Sequence, residues 1–277
     1  MLQRTITAIF FSAAMLGGIF CGKHTFFILF GCITVGSLWE LFGLLFKEDS
    51  SSSFRRIAGT LWALSPYLLL GGSALGYWGG TIAFAGMISI IFSAAPFFIL
   101  ELFLHPERPF DNVGRYLVGM AYIGIPFCLL VYLSMPLGEF FTSGDYSPWR
   151  VFGLLALVWT NDTMAYLIGS KLGKNKILER ISPKKTWEGF LGGGVCTALL
   201  AWGISGYLDA FTPTQWVTLA MVATVFGTLG DLVESMFKRS VGIKDSGNLL
   251  PGHGGLLDRF DAFIFAIPFY WLVLITL

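Results

Sequence analysis

Apolar runs of close to 20 residues recur from one end of the chain to the other, and that recurrence limits what it can become more than any motif does. A run of this length matches the roughly 20 residues a helix needs to cross about 30 Å of hydrocarbon. The runs are continuous rather than alternating, so they read as helices and not as barrel strands. Nine spans can be drawn, about 5–22, 25–46, 57–77, 80–104, 114–135, 150–170, 189–208, 215–236 and 256–277. Only 13% of the 277 residues are charged, about half the share of a soluble domain. No polar segment is long enough to enclose a soluble core. The expected fold is therefore all-α, a polytopic membrane helical bundle forming a single integral domain over 1–277. Its N-terminal spans occupy 1–135, and 150–277 holds the catalytic spans and cytoplasmic loops. The first run follows Arg4 and lacks an A-x-A-like cleavage pattern, so it is expected to stay as a helix.

Basic residues set the orientation. With the N-terminus inside, 16 of the 18 Lys and Arg fall on the inner side, leaving Lys23 and Arg150 outside. That asymmetry predicts an N-in, C-out topology. Trp62, Tyr77, Trp78, Trp149, Trp202, Tyr207 and Trp216 fall mostly near span ends and are expected as interfacial anchors. Gly72, Gly76 and Gly80 have the small-xxx-small spacing of close helix packing. Cys21, Cys32, Cys128 and Cys196 sit singly in apolar runs, as small hydrophobes rather than metal or disulfide partners. A net charge of +1, with no basic patch carrying interleaved aromatics, gives no nucleic-acid partner.

The chemistry concentrates between Gly230 and Asp261, which holds five of the 17 acidic residues. Charges inside spans are costly and are functional candidates by default: Glu40, Glu101, Asp162, Asp231, Glu234, Asp258 and Asp261. At 1.5 Å per residue, Asp162 lies about 12 Å and Asp231 roughly 8 Å from the inner ends of their helices. Asp258 and Asp261 open a helix that starts inside. These four acids can meet in one inward-facing cavity; Glu40 is a candidate for it, and Glu101 is close enough to an inner end to reach water. Asp231, Glu234, Ser235 and Lys238 share one helical face, as do Asp258 and Asp261. Hard oxygen donors without a His/Cys set suit Mg²⁺, although buried ion pairs with local Lys and Arg satisfy the same acids. Lys171 to Lys185 supplies six basic residues; Lys238, Arg239, Lys244 and His253 follow later. Gly252, Gly254 and Gly255 let backbone N–H groups approach phosphate oxygens. His253 fits a general acid/base, a phosphate donor or a helix cap. Carboxylates for a metal beside bases for phosphate point to phosphoryl or nucleotidyl transfer to a lipid, without the P-loop pattern.

The run Ser235-Met236-Phe237-Lys238-Arg239, then Lys244-Asp245, then Pro251-Gly252-His253-Gly254-Gly255-Leu256-Leu257-Asp258-Arg259-Phe260-Asp261 resembles the signature of the phosphatidate cytidylyltransferase (CDP-diacylglycerol synthase) family. Asn161-Asp162-Thr163 and Ser182-Pro183-Lys184-Lys185-Thr186 with Glu188-Gly189 are similar to it as well. The resemblance implies conversion of CTP and phosphatidate to CDP-diacylglycerol and diphosphate during phospholipid biosynthesis. It implies Mg²⁺, with a second cation left open, in a homodimer of a bacterial inner membrane whose site faces the cytoplasm. Mapped onto these residues, Asp231, Asp258, Asp261 and Asp162 would hold the metal. Lys238, Arg239 and His253 join the catalytic group. Asn161, Asp162, Ser182, Lys184, Lys185, Thr186, Glu188, Ser235, Lys244, Asp245, Gly254, Gly255 and Arg259 would bind CTP and the phosphates. Two other readings remain open: a CTP-dependent polyprenol or lipid kinase, which releases CDP, and an ion-coupled secondary transporter, against which the lack of an internal repeat counts.

Overall fold

The computed structural model describes residues 2–47, 51–104, 107–135, 145–247, 249 and 254–277, with side chains from Thr7 onward. Helices dominate, as a chain this apolar requires, because a helix pairs its backbone groups within the segment. In chain order they are α1 (Leu2–Phe20), α2 (Lys23–Leu45), α3 (Ser52–Ala74), α4 (Gly80–Ile91), α5 (Ala94–Leu104), α6 (Pro109–Leu133), α7 (Pro148–Leu172), α8 (Trp187–Ile204), α9 (Pro213–Ser240) and α10 (Leu257–Thr276).

Among the described residues, six of these are long and apolar enough to cross a membrane: α2, α3, α6, α7, α9 and α10. A seventh candidate is the pair α4–α5, bent by 56°. The bend falls where Pro96, having no N–H, cannot donate to the carbonyl of Phe92, which accepts instead from the N–H of Ala95 at 3.1 Å. The other two expected spans coincide with α1, apolar over Thr7–Phe20, and with the 18-residue α8, neither of which joins that group. Three spans carry a π-helical turn, Tyr67–Gly71, Met120–Gly124 and Ala223–Gly227. Each ends in glycine and re-phases the side chains that follow.

The chain forms two compact units, Met1–Tyr146 with Asp245–Leu257, and Ser147–Lys244 with Asp258–Leu277. Segment Asp245–Leu257 falls in the first unit. That unit has an aromatic interior of Phe26, Phe30, Phe42, Phe46, Tyr67, Tyr116 and Phe127, with Phe97 and Tyr116 stacked 3.9 Å apart. Inside it Arg55 and Glu101 form a buried ion pair. Asn112 donates to the second Glu101 oxygen at 2.9 Å. Glu101 therefore does not reach water as expected: it is 2% exposed, because Arg55 follows it into the core.

In the second unit α7 and α8 pack at close range. A Cβ on Gly193 would lie 2.9 Å from that of Ala165, and one on Gly189 would lie 3.0 Å from the Cα of Gly169. Small residues let two backbones approach where lipid provides no hydrophobic drive. The expected glycine stripe does not do this. Gly76 is a turn residue at φ 79°, a Cβ on Gly80 would meet nothing within 4 Å, and Gly72 faces the Trp78 ring. Nor is Trp216 an interfacial anchor; it is fully buried against Gly153.

One element departs from the all-helical expectation. Strands β1 (Lys176–Leu178) and β2 (Ser182–Thr186) form an antiparallel hairpin between α7 and α8. Glu188 fastens its base, accepting from the backbone N–H of Lys174 and Asn175 at 3.1 Å each and from Asn175 Nδ2 at 2.7 Å.

Glu101→Ala strands the Arg55 charge in the core and is expected to cost about 3–5 kcal/mol, whereas the double change Arg55→Met with Glu101→Leu should recover most of that loss. Unfolding of the purified protein in graded denaturant measures both. A double variant no more stable than Glu101→Ala overturns the pairing.

Candidate active site

The face of α9 expected from sequence spacing is present, and the π-helical turn at Ala223–Gly227 sets its phase. From it Asp231, Glu234, Ser235 and Lys238 extend at intervals of a helical turn. Close packing brings α10 alongside: a Cβ on Gly230 would stand 2.8 Å from the carbonyl oxygen of Asp261 and 3.1 Å from the Cα of Ala262. Glycine is required there by contact, and the contact places Asp258 and Asp261 beside the α9 face.

The charges then pair. Lys238 Nζ donates to Asp258 Oδ1 at 2.7 Å and forms an ion pair with Glu234. Glu234 is 1% exposed, so this is a buried arrangement in which one ammonium answers two carboxylates. Lys185, from β2, lies 2.8 Å from Asp231 Oδ2 and is more open, with side chains 23% and 36% exposed. Ser235 Oγ donates to Asp231 Oδ1 at 3.3 Å. Asp162, exposed on α7, is close enough for its charge to interact with Lys185 and Asp231. Asp261 interacts in the same way with Asp231, Asp162 and Lys238. Asp162, Asp231, Asp258 and Asp261 therefore share one electrostatic neighbourhood, with Glu234 and two lysines.

Other expected residues sit elsewhere. Asn161 is buried while its neighbour Asp162 is exposed, as the 100° step of a helix dictates. Thr186 caps α8 by accepting from the N–H of Gly189 at 3.2 Å, and Glu188 fastens the hairpin, so both have local structural work. Arg239 is exposed and donates to the carbonyl of Ile243 at 3.3 Å; Lys184, Lys244 and Arg259 are exposed, and Ser182 opens β2. In the first unit, Asp245 is exposed, Gly255 is buried and Gly254 has φ 84°. His253 lies outside the described residues, as do Pro251 and Gly252. Sequence reasoning passed over Tyr270, buried on α10 with its hydroxyl unpaired among the described residues and within reach of the Asp162 charge. Nothing in the pattern around it distinguishes it from other aromatics.

Among the described residues no three His, Cys, Asp or Glu side chains converge as a ready metal cage. The donor chemistry nevertheless fits a hard divalent cation. Mg²⁺ is commonly held by one or two carboxylates, the remaining positions being taken by substrate phosphate and water. Asp231, Asp261 and Asp162 carry oxygen donors of that kind within reach of one another's charge.

The model of the Cytidylyltransferase family matches residues 2–277. The chain is 32% identical over 277 residues to a phosphatidate cytidylyltransferase of Staphylococcus aureus strain COL, covering 99% of each chain. It is 32% identical over 279 residues to that of Staphylococcus haemolyticus, with full coverage of both. To that of Staphylococcus epidermidis it is 33% identical, again covering 99% of each.

The two lysines should differ in worth. The Lys185–Asp231 pair is partly exposed, and Lys185→Gln is expected to cost no more than about 1 kcal/mol of stability. Lys238→Gln leaves Glu234 buried without the ammonium paired with it and should cost about 3 kcal/mol or more. Parallel unfolding titrations test the ranking; equal losses overturn the assigned geometry.

Proposed function

The chain belongs to the cytidylyltransferase family and is a nucleotidyltransferase, and on that footing we propose how it joins CTP to phosphatidate, giving CDP-diacylglycerol and diphosphate. The observation that carries the reading is the cluster at α9, α10 and β2, in which Lys185 pairs with Asp231 and Lys238 with Asp258, with Asp261 in electrostatic reach. A phosphatidate phosphate oxygen attacks the α-phosphorus of CTP. The new P–O bond forms as the bond to the bridging α–β oxygen breaks, and diphosphate leaves. The nucleophile is already an anion, so no strong general base is needed, and His253 is not required as one.

Asp231, Asp261 and Asp162, with Asp258, are the groups that would hold Mg²⁺. When bound, Mg²⁺ offsets charge on the phosphates and on the leaving diphosphate. Lys185, half-open and held by one partner, is placed to exchange Asp231 for a substrate phosphate. Lys238 is committed to two carboxylates and holds Asp258 in place. Arg239, Lys244 and Lys184 are exposed cations suited to the phosphates of CTP, and Gly254 and Gly255 offer backbone N–H groups of the kind that approach phosphate oxygens. The same reading carries nine crossings, N-in and C-out, with the site on the cytoplasmic face of a bacterial inner membrane and the protein acting as a homodimer.

Purified protein given phosphatidate, Mg²⁺ and CTP labelled at the α-phosphate should move label into the lipid phase and release diphosphate. Release of CDP instead would make the protein a lipid kinase. Asp258→Asn should lower turnover by at least about a hundredfold while the protein stays folded and inserted. Near-normal turnover in that variant sinks the metal assignment.

A further inference from the structure

In the first unit, Ser246, Leu256 and Leu257 are held to α2 by the carboxylate of Glu40. Glu40 is 5% exposed, and both its oxygens are engaged. The N–H of Leu256 donates to Oε1 at 3.0 Å, that of Leu257 to Oε2 at 2.9 Å, and Ser246 Oγ to Oε2 at 3.2 Å. An ionised carboxylate only accepts, so two successive amides and a hydroxyl form a matched set of donors. Leu257 is also the first residue of α10, where backbone N–H groups lack helical partners.

The surroundings are shaped to that carboxylate. A Cβ on Gly255 would stand 2.5 Å from Glu40 Oε2 and 2.8 Å from the Gly247 nitrogen, and one on Gly247 would stand 2.7 Å from Glu40 Cδ. One turn earlier on α2, Gly36 leaves room for the side chain of Leu256, whose Cδ2 lies 2.6 Å from where a Cβ would stand. Arg56, with its guanidinium 3.8 Å from the Trp39 ring centroid and donating to the Trp39 carbonyl at 2.7 Å, lies within electrostatic reach of Glu40.

An apolar side chain could anchor a loop without the desolvation cost of a buried carboxylate. What the carboxylate adds is direction: two consecutive N–H vectors are fixed at once, which sets the backbone of a segment that already includes Gly254 at φ 84°. The residue after Leu257 in the sequence is Asp258. We propose that Glu40 is a positioning residue for CTP binding, fixing the backbone at Ser246 and at Gly255–Leu257, where the chain enters α10 one residue ahead of Asp258. It acts through that backbone and touches no reacting atom. The proposal rests on the cytidylyl transfer proposed above.

The test uses the full chain with Glu40→Ala, Glu40→Gln and Gly255→Ala. Glu40→Ala should raise the KM for CTP about tenfold or more while kcat changes less than about threefold. Hydrogen exchange at the Leu256 and Leu257 amides, read by mass spectrometry, should accelerate at least about tenfold. Glu40→Gln, which keeps one oxygen acceptor, should fall between the two, and Gly255→Ala should reproduce Glu40→Ala because its methyl displaces the carboxylate. A fall in kcat at constant KM, the mark of a smaller folded fraction, overturns the proposal. So does unchanged amide exchange in Glu40→Ala, whatever the activity. If the unaltered protein moves no label from CTP to lipid, the proposed reaction fails, and the exchange rates show separately whether Glu40 orders the loop.

Discussion

Removing a charge from water inside an apolar bundle is expensive, and the arrangement of this protein follows from how each such charge is answered. Glu101 is met by Arg55 and Asn112, Glu234 and Asp258 by Lys238, and Glu40 by backbone amides and a serine hydroxyl. The three solutions differ in kind. The first closes on itself and leaves nothing for a ligand. The second ties two helices together at the edge of an accessible group of acids. The third uses the carboxylate to orient backbone.

Glycine is the complement of these charges. An ion pair at 2.7 Å between helices requires backbones that approach closely, and a methyl group at the contact would hold them apart. Gly230 lets α10 lie against α9 beside Asp231, and Gly189 and Gly193 let α8 lie against α7. The same logic places Gly247 and Gly255 at Glu40. Gly255, expected as a residue that lets backbone approach phosphate, is shaped first by a carboxylate of its own chain.

How much of this the sequence disclosed depended on the range of the interaction. The long helices and the shared face of Asp231, Glu234, Ser235 and Lys238 follow from runs and spacings within about ten residues, and both were legible. So was the family, because the residues of its signature lie within one short stretch of sequence. The 56° bend was signalled only by Pro96, and the 176–186 hairpin is too short for periodicity to register. The Arg55–Glu101 pair spans 46 residues and the Glu40–Ser246 contact 206; no local pattern reports a partner that far away. Glu40 and Glu101 looked alike in sequence, two acids near span ends, and only their distant partners separate a loop-orienting group from a core ion pair.

The balance of charge in the second unit bears on what the site must bind. Asp162, Asp231, Glu234, Asp258 and Asp261 set five carboxylates against the ammonium groups of Lys185 and Lys238. With all five ionised, an excess of three negative charges remains. Two substrates that each carry phosphate would be repelled by such a cluster, since unit charges 4 Å apart still interact by about 4 kcal/mol at an effective dielectric of 20. Protons can remove the excess but attract no phosphate. A divalent cation held by these carboxylates would remove it and would supply the positive charge that attracts phosphate. These five acids outnumber the two lysines paired with them, and that surplus supports the proposed reading of Asp231, Asp261 and Asp162 as metal ligands.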